Sequence, residues 1–230
     1  MSEQGSRFNQ AVAAVRSETQ TAPTATTRPA AAPSYTQEQH ALGMALLLEV
    51  AQNAPNTAKI SDLISRGAAL ELRNAQDSTP LLLAARGGHE HIADMLMQAG
   101  ADVNSRDTDG STPLILATLA GSVKTVRHLC DKNADMKHIN NQDRTALMWA
   151  AALGRREIAQ MLTRRGADSE QQNSVGQTAY DIARLHENYS LAEILKAGAQ
   201  QQKAATTAPA VTTSHTTKRA ASYKDMLGKV

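Results

Sequence analysis

The chain has 230 residues and is 41% hydrophobic but only 3% aromatic, a composition that suits a globular middle with polar ends better than one compact ball. Its net charge of +2 is unevenly spread: residues 1–35 carry 3 Lys and Arg against 2 Asp and Glu, residues 36–199 carry 16 against 19, and residues 200–230 carry 5 against 1. The weakly acidic middle argues against duplex nucleic acid as a partner, and a single cysteine, Cys130, excludes an intrachain disulfide and points to a reducing compartment.

Residues 1–35 read as a disordered segment. Their start lacks the continuous apolar run of a cleavable signal peptide. Phe8, Val12 and Val15 show only a weak helical spacing, and residues 21–35 are Ala, Thr and Pro with almost nothing to bury. From residue 36 the pattern changes. Thr36 and Gln39 have the spacing of a capping box, ahead of a helix carrying Met44, Leu47, Leu48 and Ala51. A second helix carries Ile60, Leu63 and Ile64. The most apolar stretch, residues 41–51, is far shorter than the ~18–20 residues a bilayer requires, so no membrane span is expected.

An internal repeat follows. Thr79, Thr112, Thr145 and Thr178 are each 33 residues apart, and the same step links Leu81, Leu114, Leu147 with Tyr180, and Ala84, Ala117, Ala150 with Ala183. Gly100, Asn133 and Gly166 are each followed by Ala-Asp, at Asp102, Asp135 and Asp168. Each unit reads as helix, turn, helix and hairpin-like loop. Pro80 opens the first short helix, where its missing N–H costs nothing. Gly87 and Gly88 stop that helix, Ile92, Met95 and Leu96 line the second, and Gly100 closes it in the left-handed conformation.

These residues resemble the ankyrin repeat family. Its pattern T-P-L-x-x-A-A-x-x-G-H followed by G-A-D-V-N is matched almost in full by residues 79–104, well by 107–135, by 140–168 with Ala146 in place of Pro, and loosely by 173–198. The usual His after T-P-L is replaced by Leu82, Ile115, Met148 and Asp181, and Glu187 stands where Gly is expected. The resemblance implies an all-α ankyrin repeat solenoid of about five units. These are an N-terminal cap at residues 36–72, units at 73–106, 107–139 and 140–172, and a C-terminal cap at 173–199. Residues 200–230 read as a second disordered tail, basic, in which Tyr223, Met226, Leu227 and Val230 keep the i, i+3, i+4, i+7 spacing of a helix-in-groove ligand.

Chemistry finds no support. His89-Glu90-His91 lacks the i, i+4 pair of a zinc-protease helix, and residues at i and i+2 do not share a helix face. Cys130 reads as a small core residue, and Asp102, Asp135 and Asp168 recur with the period as hairpin residues. No cofactor, metal or catalytic residue is expected.

In the family, partners lie against the hairpin tips and the exposed side of the first helices. Carried over position by position, the partner-binding candidates form four rows: Gln76, Ser78, Arg86 and Gly87; Thr108, Asp109, Ser111, Leu119 and Ala120; Gln142, Arg144, Ala152 and Leu153; and Val175, Gln177, Leu185 and His186. Leu119, Leu153 and Leu185 are expected to make an apolar column with a charged rim. Trp149, in the column of Leu83, Leu116 and Ile182, either fills the stack or anchors a partner. The leading expectation is a monomeric, cytoplasmic, non-enzymatic adaptor or scaffold that binds another protein with its concave face, and through its tail a second one. The alternatives are a stoichiometric inhibitor of a partner enzyme and a secreted bacterial effector that binds host proteins.

Overall fold

The computed structural model describes residues 35–207, with side chains to residue 200. Residues 1–34 and 208–230, and with them Tyr223, Met226 and Leu227, lie outside the described residues. Among those described there are ten helices and no strand: α1 (Gln37–Val50), α2 (Thr57–Ser65), α3 (Pro80–Gly87), α4 (Glu90–Gln98), α5 (Pro113–Ala120), α6 (Val123–Asp131), α7 (Ala146–Ala152), α8 (Arg156–Arg164), α9 (Ala179–Leu185) and α10 (Tyr189–Thr207).

The helices make two layers. Each odd-numbered helix packs on the next odd-numbered one, each even-numbered helix on the next even-numbered one, and the two members of every pair pack on each other. Small side chains set the first layer's spacing: Ala84, Ala85, Ala117, Ala150 and Ala151 are fully buried. Leu81, Leu114 and Leu147 fill that layer, and Leu96, Leu129 and Leu162 fill the second, each stabilising by about 1.5–3 kcal/mol on burial.

The periodic threonines start the first helices. The hydroxyls of Thr79, Thr112, Thr145 and Thr178 accept the N–H of Leu82, Ile115, Met148 and Asp181, each cap contributing about 1 kcal/mol. The departures from the family's His have a local reason. Leu82, Ile115 and Met148 are buried core residues, whereas Asp181 returns the bond to Thr178 and completes a capping box.

One periodic position decides where the second helices end. Gly67, Gly100, Asn133 and Gly166 all have positive φ, between 59° and 93°, and the following alanines, Ala68, Ala101, Ala134 and Ala167, donate back to Leu63, Leu96, Leu129 and Leu162 at 3.0–3.1 Å. Gly67 thus puts the N-terminal pair in step with the repeats. One step further on the residue is Ala199, nothing turns the chain, and α10 continues to Thr207, past the expected boundary at residue 199.

The first helix also differs from expectation. The Thr36 and Gln39 box is present, at 3.2 and 3.0 Å, but burial falls on Leu42, Leu46, Leu47 and Val50, leaving Met44 and Leu48 exposed. Among the described residues α1 packs in its layer on α3 alone, so they cover a single face of it.

Candidate partner-binding face

The hairpin tips are built by a residue the sequence reading did not single out. Asn74, Asp107, Asn140 and Asn173 occupy one periodic position. Asn74 Oδ1 accepts the N–H of Gln76 and Ser78 at 2.9 and 3.0 Å, and Asp107 Oδ1 those of Asp109 and Ser111 at 3.0 and 2.8 Å. Asn140 Oδ1 accepts from Gln142 and Arg144, both at 3.2 Å, and Asn173 Oδ1 from Gln177 at 2.7 Å. A short Asx side chain that folds back on its own backbone makes such a turn. Three residues on, Asp77, Gly110, Asp143 and Gly176 take the left-handed conformation, φ 54° to 78°. Both columns were present in the sequence as a 33-residue step of Asn or Asp and one of Asp or Gly.

Neighbouring tips are tied together. Thr108 donates to the Gln76 carbonyl at 3.3 Å and Asn141 to the Asp109 carbonyl at 3.0 Å. The Asn141 amide reaches the Thr108 carbonyl at 3.1 Å, and the Asp143 carboxylate accepts from the N–H and hydroxyl of Ser174. On this frame Gln76, Thr108, Asp109 and Val175 are exposed, while Gln142, Arg144 and Gln177 are half-buried. Ser78 and Ser111 require a correction. They are 0% and 3% exposed, because the Asn74 and Asp107 side chains draw their N–H groups inward. Ser111 Oγ in turn accepts from Asn140 Nδ2 at 3.0 Å, so these serines hold the tips.

At the ends of the first helices, exposed Arg86 donates to Asp107 Oδ2 at 2.7 Å. Leu119 and Leu153 are half-buried, and Leu185 is 66% exposed. The leucines do not form a single column: the 33-residue step aligns Arg86, Leu119, Ala152 and Leu185, and separately Gly87, Ala120, Leu153 and His186. They zigzag across two adjoining positions. Trp149 is 4% exposed, so its ring packs inside the stack. The Arg144 guanidinium lies 4.8 Å from the centre of that ring, and no acceptor among the described residues reaches the indole Nε1. Burial, reinforced by the charge of Arg144, holds His186 below the ordinary histidine range.

Residues 46–140, and in an overlapping second match residues 103–173, fit a family model described as ankyrin repeats in three copies. The chain belongs to the ankyrin repeat family. No curated protein matches it. Ankyrin repeats are protein–protein interaction modules.

The remaining reactive groups of the ankyrin stack are engaged structurally. Burial raises the Cys130 thiol against the pull of Arg165, which disfavours the nucleophilic thiolate. The ring of His89 lies over Gly87, so close that a β-carbon there would sit 2.6 Å from it. Asp102, Asp135 and Asp168 each accept the N–H two residues on, at 2.9 Å. Among the described residues no His, Cys, Asp and Glu group is set to hold a metal ion, and no helix is long and apolar enough to cross a membrane.

Proposed function

We propose that this chain is a non-enzymatic adaptor whose ankyrin tips and first-helix ends bind another protein, with the monomer as the working unit in a reducing, cytoplasmic setting. The observation that carries the reading is in the fourth repeat. Val175 at its tip and Leu185 at its helix end are 73% and 66% exposed, and among the described residues the other exposed large apolar side chains are Met44 and Leu48 on α1 and Tyr189 on α10. Half-buried Leu119 and Leu153 extend that apolar ground toward the earlier repeats, with Arg86 and Asp109 exposed beside it. An apolar centre inside a polar rim is the composition of a protein-binding patch.

The test is affinity purification on the full chain, followed by quantitative binding of the proteins recovered to the Leu119→Ala, Leu153→Ala double variant and to a deletion of residues 220–230. Loss of binding in the leucine variant, with the thermal transition moving only modestly, supports the repeat face. Loss on deleting the tail alone overturns it and makes the tail the recruiting element. A single enzyme held in equimolar complex turns the adaptor into an inhibitor.

A further inference from the structure

Charge is not shared evenly among the repeats. Residues 36–165 carry 14 Lys and Arg against 14 Asp and Glu, residues 166–199 carry 2 against 5, and residues 200–230 carry 5 against 1. The acidic surplus of the stack therefore lies wholly in its last unit, next to the basic tail. The same unit shows apolar surface where α9 turns into α10. Leu185 and Tyr189 are largely in solvent. Glu187 is exposed between them, and Glu193 is exposed one turn along α10 on the Tyr189 side. Among the described residues no ion pair engages Glu187 or Glu193. The tail matches both features, with Tyr223, Met226, Leu227 and Val230 at helical spacing and Lys224 and Lys229 interleaved.

We infer that residues 223–230 dock on the α9–α10 turn of their own chain, the apolar residues over Leu185 and Tyr189 and the lysines against Glu187 and Glu193. The length of chain suits this. From Tyr189 to Thr207 α10 rises about 27 Å, and residues 208–222 connect its end to Tyr223. A connection of that length has a root-mean-square span of about 20–25 Å and reaches about 50 Å when fully extended. Effective concentration is highest, in the millimolar range, when the typical span matches the distance to be covered. Opposite charges then favour this site over other apolar ground. Met44 and Leu48 on α1 are also exposed, but α1 stands four helix spacings of about 8–10 Å from α9. Leu185 belongs to the face assigned above to the partner, so the consequence rests on that reading: tail and partner compete, and the partner meets only molecules whose turn is uncovered.

Chymotrypsin reads the docking on the full chain, by its cut after Tyr223, with the cut after Phe8 as an internal reference. Leu185→Ser with Tyr189→Ser is expected to speed the Tyr223 cut by about threefold or more relative to Phe8, because cleavage follows the undocked population. Glu187→Lys with Glu193→Lys should do the same. Adding Lys224→Glu with Lys229→Glu should then slow the cut again, judged against that tail change alone to cancel its effect on the protease. Cleavage that ignores both pairs of substitutions overturns the inference. Protection that rises with protein concentration overturns it in favour of a tail docked on a second copy. Circular dichroism checks the helices, and if the Leu185 and Tyr189 variant loses them, the charge reversals carry the comparison. No partner enters these measurements, so the docking can fail while the repeat face stands. With docking established, deleting residues 220–230 should tighten the proteins recovered on the full chain by the same factor. Docking without that gain keeps the tail on its turn and removes Leu185 from the partner face.

Discussion

Arg86 of the first repeat and Asp107 of the second are joined at 2.7 Å, the guanidinium 40% exposed and the carboxylate almost wholly enclosed. The carboxylate also carries the turn of its own tip, through the N–H groups of Asp109 and Ser111. One side chain thus fixes the tip and locks it to the preceding repeat.

Removing the arginine should therefore isolate a buried charge. Arg86→Met is expected to destabilise by about 1–2 kcal/mol at neutral pH, less than for a fully buried pair because the guanidinium is partly solvated. Burial already raises the Asp107 carboxyl above its ordinary range, against the Ser111 N–H and Arg86. A raised carboxyl is favoured in its protonated form, so its contribution is present at low pH and lost as pH rises through the folded value. The deficit of Arg86→Met should accordingly shrink on acidification. Urea titrations of both proteins across the acid range measure this, and a deficit independent of pH would show that only packing was lost.

The glutamate that holds the Asn56 cap should show the opposite slope. Glu49 accepts from Lys59 at 2.7 Å and from the N–H of Asn56, which caps α2, at 3.0 Å. The Lys59 bond, then the Asn56 N–H, lowers its carboxyl below the ordinary range. A lowered carboxyl contributes stability above its unfolded value and loses it as pH falls through the folded one. Glu49→Gln should therefore melt earlier than the parent at neutral pH and converge with it well below roughly pH 4. Divergence on acidification would contradict the assignment.

Two left-handed glycines allow strain to be separated from crowding. Gly100 has φ +93° and open space at its missing β-carbon, whereas at Gly110, φ +67°, that atom would stand 2.7 Å from Asn141 Oδ1. Gly100→Ala is expected to cost about 1 kcal/mol from backbone conformation alone. Gly110→Ala should cost about 1 kcal/mol more, as Asn141 gives up its bond to the Thr108 carbonyl. Equal losses in thermal denaturation would mean that Asn141 moves aside freely.

On the fourth repeat, Val175→Ser with Leu185→Ser should leave stability within about 0.5 kcal/mol, since both side chains are largely in solvent. Binding of the partner should fall by more than about 1 kcal/mol. A large drop in the melting temperature would show that these residues are structural, and unchanged affinity that the partner docks elsewhere.

The period was legible because it is written in residues whose local role is narrow: Thr at a cap, Gly or Asn at a left-handed position, Ala where helices meet. The tip turns were equally regular, but Asn74, Asp107, Asn140 and Asn173 are types that read as ordinary loop polarity until their bonds are seen. Burial of Ser78 and Ser111 was missed for the same reason, since a serine at a tip gives no sign of which way it turns. Met44 and Leu48 misled differently. Helical spacing shows that an apolar stripe exists, and only the number of neighbours shows whether anything covers it. The extension of α10 was decipherable at Ala199, where the position that turns the chain in the other repeats holds a residue that favours helix.

The ties between repeats join residues roughly one period apart, as with Arg73 and the Arg106 carbonyl, Asn104 and the Asp135 N–H, or Asn188 and the Ala151 carbonyl. During synthesis each new unit therefore finds its partners in the segment that left the ribosome just before it, with no need to wait for a distant C-terminal strand or helix. The N-terminal pair, with its own capped helices, offers the first template, and growth proceeds by accretion. The same locality implies that a polypeptide stalled after any complete unit is left with one raw apolar edge, the surface that quality-control chaperones recognise, until the next repeat arrives to close it.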